Sequence, residues 1–131
     1  MRDDEVAAVH EMMRALWPDF DGDAGPGEIL VWERPDGAGL GGFVQLNVRA
    51  YGEGCDTQPV PWIEGWWVAP DLRRSGVGRA LVAEVERWAR EGGFTELGSD
   101  TWLDNTGSIA AHEALGFEKT EQLQFFRKKL R

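Results

Sequence analysis

The 131-residue chain holds one cysteine, two histidines and one tyrosine. Cys55 has no second thiol to pair with, so no intrachain disulfide can form, and the usage fits a reducing cytoplasm. Cys55 stands in a glycine-rich stretch with no His or Cys near it in sequence, so neither catalysis nor metal binding is expected of it, and no metal is expected anywhere. Positive charge is also scarce. Fourteen Lys and Arg face 23 Asp and Glu, a formal charge of −9, which argues against a nucleic-acid partner because phosphate backbones are bound through Lys and Arg. Apolar runs are short. None approaches the roughly 20 residues that cross a bilayer, so no membrane partner is expected. The opening Met1-Arg2-Asp3-Asp4-Glu5 is acidic, with no apolar segment behind it, and does not read as a secretory signal. There is no repeat, low-complexity tract or linker. These absences leave one cytoplasmic domain over residues 1–131.

What is present is 42% apolar and 28% charged residues, the profile of a globular chain. An acidic surface concentrates cations and so suits a cationic ligand, although it also serves solubility. Seven tryptophans are unusual for this length; most belong in a core, and one or two can wall a pocket. Val6, Val9, Met13 and Leu16 recur at three- and four-residue spacing, which predicts a helix over residues 4–17, capped by Asp3 or Asp4 and stopped by Pro18. An acidic loop containing Asp19, Asp21 and Asp23 follows. Residues 28–34 read as a strand, Pro35-Asp36-Gly37 as a turn, and residues 41–49 as a second strand with Val44, Leu46 and Val48 on one face. Residues 62–69 are apolar on both faces apart from Glu64 and Gly65, which predicts a central strand. Val77, Leu81, Val85 and Trp88 predict a helix over 76–91, stopped by Gly92-Gly93. A short strand over 95–99, a helix over 105–115 and one or two strands over 117–130 complete a mixed α/β domain with helices packed on a sheet.

The segment 66–81 carries the chemistry. A strand runs through the loop Arg73-Arg74-Ser75-Gly76-Val77-Gly78 into a helix. The glycines permit close backbone approach to a ligand. The helix start offers unpaired N–H groups and the positive end of its dipole. Together they suit a pyrophosphate, with Arg73, Arg74 and Arg79 adding charge in an otherwise acidic chain. A glycine-rich turn opening an ordinary helix is the alternative.

Context separates the two. Arg73-x-x-Gly76-x-Gly78 resembles the coenzyme A pyrophosphate loop of the GCN5-related N-acetyltransferase (GNAT) superfamily, and Asn105 with His112-Glu113-Ala114-Leu115-Gly116-Phe117 resembles its second motif. Ala15-Leu16-Trp17-Pro18-Asp19, Ile63-Glu64-Gly65-Trp66, Ser99-Asp100-Thr101-x-Leu103-Asp104-Asn105 and Phe126-Arg127-Lys128-Lys129 are similar to one subfamily, the aminoglycoside 6′-N-acetyltransferases. The resemblance implies a single GNAT-type α/β domain with a mixed, mostly antiparallel sheet flanked by helices. It departs in two places. The first helix is not preceded by the usual first strand, which leaves a sheet edge for a partner and motivates a homodimer. His112 stands where many members have a tyrosine acid, so the proton donor stays open between His112 and water.

The resemblance further implies acetyl-coenzyme A as cosubstrate and an aminoglycoside as acceptor. Residues 73–79 and Asn105 are expected to hold coenzyme A, and the backbone of Trp66, Trp67 and Val68 its pantetheine arm, an N–H there polarising the acetyl carbonyl. Glu64, mid-strand in an apolar run, and Asp100, at the carboxyl end of the next strand, are expected to bind the amine and to act as base, their mutual repulsion raising one pKa. Trp17, Tyr51 and Glu121 are expected to line the acceptor pocket; Asp19, Asp21 and Asp23 set a negative potential, and His10 has no role. A GNAT enzyme for another cationic amine, such as a polyamine or protein N-terminus, and a non-enzymatic acetyl-coenzyme A sensor are the competing readings.

Overall fold

The computed structural model describes residues 3–17, 19–22, 27–35 and 37–131. The expected stop at Pro18, the acidic Asp23 and the turn residue Asp36 lie outside them, as do the side chains of the capping candidates Asp3 and Asp4. The chain forms two compact units, Met1–Asp100 and Thr101–Arg131.

The first unit is built on a four-stranded sheet in the order β1-β2-β3-β4, where β1 is Glu28–Glu33, β2 Leu40–Arg49, β3 Val60–Val68 and β4 Gly98–Ser99. Strands β1 to β3 pair antiparallel and β4 joins β3 in parallel, the mixed sheet expected. Helix α1, Asp3–Leu16, and helix α2, Val77–Glu91, pack on it.

In β2 the four consecutive residues Phe43, Val44, Gln45 and Leu46 are buried. Successive side chains of a strand point to opposite faces, so both faces of β2 are covered. Phe43 packs against Val9, Met12 and Met13 of α1, while Gly42, on the opposite face, lies against Leu81 of α2. Val44 and Leu46 lie on one face as expected, and the other face is covered too. Phe43 and Gln45 are as buried as Val44 and Leu46, and Val48 is 39% exposed.

Helix α2 buries Val77, Leu81, Val82, Val85 and Ala89. Burial of each Val or Leu side chain contributes about 1.5–3 kcal/mol, well above any propensity difference along the helix, so packing holds α2 in place. Gly92 and Gly93 end it, and Gly93 adopts φ 83°.

Strand β4 is shorter than the five residues expected. Glu96 turns away to accept hydrogen bonds from the backbone N–H groups of Asp56 (2.9 Å) and Thr57 (2.6 Å), and from the Thr57 hydroxyl (2.5 Å). These bonds hold its carboxyl below the ordinary value of 4.5. They tie the β2–β3 loop to the approach to β4.

In the second unit, Asn105 caps helix α3, Thr106–Ala114, by accepting from the Ser108 N–H at 3.1 Å. The strands expected over 117–130 do not form. No residue after α3 is helical or extended in a ladder, and Leu123, Phe125, Phe126 and Leu130 are exposed. A strand exists only where another supplies ladder hydrogen bonds, and none does so over these residues.

Candidate active site

The β2–β3 ladder breaks at one point. Gln45 opposes Gly65 and Leu46 opposes Ile63, so Glu64 is the extra residue of a β-bulge. A bulge leaves one residue unpaired and re-aims its side chain. That explains how a carboxylate tolerates the middle of an apolar strand. Glu64 is turned toward the end of β2, where Arg49 Nε donates to its Oε2 at 2.9 Å and Nη2 to its Oε1 at 2.6 Å.

Arg49 has further partners. Its guanidinium lies 4.4 Å from the Trp62 ring centroid, and Nη1 is 3.8 Å from Glu53 Oε2. The Glu64 hydrogen bonds hold its pKa above the usual arginine value, with attraction to Asp100 and Glu53 contributing. Trp62 is 3% exposed and boxed in by glycines: a Cβ at Gly98 or Gly52 would run into its ring. The β3–β4 register places Ser99 opposite Ile63, so Asp100 follows at the level of Glu64. Asp100 is exposed, and no described side chain hydrogen-bonds it.

The two carboxylates expected at the centre therefore do belong to one cluster, but their surroundings differ. Sequence reading missed Arg49, and with it the cation that offsets their repulsion. The pairing depends on the bulge and on strand register, which no local spacing reveals.

Of the pocket-wall residues, Trp17 packs against Gly65, where a Cβ would strike its indole, and meets Phe43 edge-on at 6.3 Å. It thus lies one residue along from Glu64. Tyr51 is 57% exposed at the end of β2. Asp19 and Asp21 are exposed. His10 stacks edge-on with Phe20 at 5.3 Å. Burial pushes the Cys55 thiol up, which disfavours the reactive thiolate.

Beyond Ile63, β3 has no strand on its β4 side among the described residues. On its other side Trp66, Trp67 and Val68 pair with Val44, Phe43 and Gly42. One edge of this stretch is therefore open for an added strand-like ligand. Immediately after it, a single 3-10 turn, Pro70–Leu72, leads into the glycine-bearing loop.

The loop is tightly wound. Arg73 Nε donates to the Val68 carbonyl at 2.9 Å, the Ser75 N–H to the Leu72 carbonyl at 3.3 Å, and the Ser75 hydroxyl to the same oxygen. Arg74 adopts φ 64° and Gly76 φ 92°. Gly76 is the N-cap of α2, no described side chain caps it, and the first turn carries no acidic residue. The N–H groups of residues 76–79 are the four that a helix start leaves without intrahelical partners. With exposed Arg74 and Arg79 nearby and the dipole of a 15-residue helix behind them, they form an anion site suited to a pyrophosphate. Gly78 sits against the Trp66 ring, 3.2 Å from where its Cβ would be, so a larger residue crowds the ring beneath the loop.

In the second unit, the Asn105 Oδ1 is used in capping and its amide N–H groups stay available to donate. His112 Nδ1 lies 2.7 Å from the Ser108 carbonyl oxygen, and its ring meets Phe117 edge-on at 5.2 Å. Facing a carbonyl, Nδ1 must donate, so a neutral His112 presents Nε2 as an acceptor and only the imidazolium can donate there. Glu121 is exposed, outside any strand. Among the described residues no three His, Cys, Asp or Glu side chains are grouped to hold a metal, and no helix is long and apolar enough to cross a membrane.

Comparison with known proteins places this geometry. The profile of the acetyltransferase (GNAT) family matches residues 2–117. An aminoglycoside N(6′)-acetyltransferase type 1 from Klebsiella aerogenes is 48% identical over 107 residues, covering 82% of this chain and 70% of that protein. One from Stenotrophomonas maltophilia is 38% identical over 134 residues, covering 94% and 86%. The crystal structure of the aminoglycoside 6′-N-acetyltransferase AAC(6′)-Ih from Acinetobacter baumannii superposes with a TM-score of 0.87 at 30% identity, covering 100% of this chain and 96% of that one. AAC(6′)-Iy, in complex with the bisubstrate analogue CoA-S-monomethyl-acetylneamine, superposes with a TM-score of 0.86 at 32% identity, covering 99% and 95%.

Proposed function

The chain belongs to the GNAT family of acetyltransferases, and on that premise we propose that it transfers an acetyl group from acetyl-coenzyme A to the 6′-amine of an aminoglycoside antibiotic. The observation that carries the substrate class is the 48% identity to the Klebsiella aerogenes enzyme over 82% of the chain. The cluster of Glu53, Glu64 and Asp100 around Arg49, with Trp17 packed on the neighbouring Gly65, supports it, because an aminoglycoside is a polycation with apolar sugar faces. Resistance to the antibiotic is the consequence of such a reaction.

Each part of the site has an assigned task. The amides of Gly76, Val77, Gly78 and Arg79 hold the coenzyme A pyrophosphate, Arg73, Arg74 and Ser75 shape and charge the loop, and Asn105 adds a donor. The open edge of β3 at Trp66, Trp67 and Val68 receives the pantetheine arm, and a backbone N–H there steadies the developing oxyanion. Bound acetyl-coenzyme A supplies the thioester acyl group. Glu64 and Asp100 hold the acceptor's ammonium groups, and a carboxylate of this pair takes the proton that frees the amine for attack. Trp17 and Tyr51 line the acceptor pocket, and Glu121 is assigned to acceptor binding on the resemblance alone. The leaving thiolate takes its proton from His112 as imidazolium or from water.

Acetylation of kanamycin and spermidine, measured side by side with purified protein and acetyl-coenzyme A, tests the substrate class. Kanamycin turnover with little spermidine turnover is expected. The reverse result makes the protein a polyamine acetyltransferase. Binding of acetyl-coenzyme A without turnover of any amine makes it a sensor.

We further place residues 1–131 in the cytoplasm as one N-acetyltransferase domain that pairs into a homodimer. The exposed edge strand β1 and the exposed apolar residues Leu123, Phe125, Phe126 and Leu130 support the pairing. Light scattering at micromolar protein is expected to give twice the chain mass of 14.6 kDa; a monomer rejects the dimer.

A further inference from the structure

The acidic cluster assigned to the acceptor amine already contains a cation. Arg49 engages both Glu64 oxygens, reaches toward Glu53 and rests on Trp62. Both members of the Arg49–Glu64 pair are mostly shielded, with side-chain exposures of 31% and 27%. Two near-parallel N–H···O bonds fix a carboxylate in orientation as well as in charge, and stacking on an indole fixes the guanidinium in turn. With both oxygens already accepting from Arg49, Glu64 has little lone-pair capacity left to turn toward a ligand. Asp100, at the same level of the sheet, accepts no hydrogen bond from a described side chain and keeps its lone pairs for a ligand.

We propose that Arg49 is a positioning residue that divides the labour between the two carboxylates: it locks Glu64 as a fixed, charge-balanced wall of the amine subsite and leaves Asp100 as the base. The inference rests on the acetyltransferase reading of the site. Counting Glu53, Glu64, Asp100 and Arg49, the cluster carries −2. Removing Glu64 alone frees a guanidinium against the incoming ammonium and reduces the cluster to −1. Removing Arg49 alone frees Glu64 to capture the ammonium away from Asp100, at −3. Removing both returns the cluster to −2. The pair therefore acts as a unit, whereas the base does not.

A double-mutant cycle on the full-length protein tests this, with kcat and KM for kanamycin measured separately and acetyl-coenzyme A affinity measured by calorimetry. Glu64→Gln is expected to raise the kanamycin KM roughly tenfold with little change in kcat, because a rim of unpaired positive charge opposes the ammonium. Arg49→Gln is expected to lower kcat roughly tenfold with KM unchanged or lower, and Arg49→Lys, which keeps the charge and loses the fork, to fall between it and wild type. The Arg49→Gln/Glu64→Gln double variant is expected to show a lower kanamycin KM than Glu64→Gln and a higher kcat than Arg49→Gln, without reaching the wild-type kcat/KM because the Glu64 contact to the amine is still missing. Acetyl-coenzyme A affinity and the melting temperature of the double variant serve as checks on the fold. A double variant as inactive as Glu64→Gln, with Glu64→Gln losing its activity in kcat, identifies Glu64 as the base and overturns the proposal. Equal losses in both singles that follow melting temperature reduce Arg49 to a fold-stabilising residue and overturn it too. Wild-type protein that acetylates no aminoglycoside is a separate failure, of the substrate assignment.

Discussion

Asp100→Asn is expected to lower kcat/KM for kanamycin by roughly 100-fold, almost entirely in kcat, while acetyl-coenzyme A affinity stays within twofold. General-base catalysis by a placed side chain contributes about 10²–10⁴-fold, and asparagine keeps the size of aspartate while losing its basicity. The loss belongs in kcat because the other carboxylates, Glu53 and Glu64, still attract the polycation. It exceeds that expected for Glu64→Gln because Glu64 has both oxygens in the grip of Arg49. Steady-state kinetics on the two variants, with a thermal melt for each, decides the point. Wild-type kcat in Asp100→Asn removes the assigned base.

The second large effect is expected at Gly76. Its φ of 92° lies in the left-handed region that L side chains rarely adopt. A β-branched residue there is a genuine outlier, and left-handed backbone costs an ordinary residue about 1–2 kcal/mol. Space is not the obstacle, because a Cβ at Gly76 meets nothing within 4 Å. Gly76→Val relieves the strain by turning the peptide units on either side. One of them carries the Gly76 carbonyl that accepts from the Ala80 N–H at 2.9 Å, and the other starts the row of amides assigned to the pyrophosphate. The KM for acetyl-coenzyme A is expected to rise roughly 5- to 30-fold, since 1.4 kcal/mol corresponds to a factor of ten, with the kanamycin KM little changed. Parallel titrations of the two substrates read the split. An unchanged acetyl-coenzyme A KM would place the pyrophosphate elsewhere.

What the sequence showed and what it hid divide along physical lines. Helix α2 was legible because Val77, Leu81 and Val85 repeat at helical spacing and all three are buried. Strand β3 was legible as central because it is apolar on both faces, and it does lie between β2 and β4. The loop was legible because a glycine at φ 92° before a helix is a local requirement written in local residues. Arg49 was not legible. Its partner lies 15 positions away, and the contact exists only because the ladder skips Glu64. The segment 117–130 was misread for a related reason. A strand needs a ladder partner as well as suitable residues, the partner is a property of the fold, and no ladder forms over 117–130.

The cofactor loop and the acceptor cluster thus rest on different kinds of information. The loop proposed to hold coenzyme A rests on local backbone geometry, the left-handed Gly76 opening α2. The acceptor subsite proposed above rests on side chains gathered across strand register, at Trp17, Arg49, Glu64 and Asp100. The most direct test of the whole account is the position of the acetyl group on the product. Mass spectrometry and NMR of kanamycin after incubation with the protein and acetyl-coenzyme A are predicted to show one acetyl group, on the 6′ nitrogen. An acetyl group on another amine, or unmodified kanamycin, would contradict it.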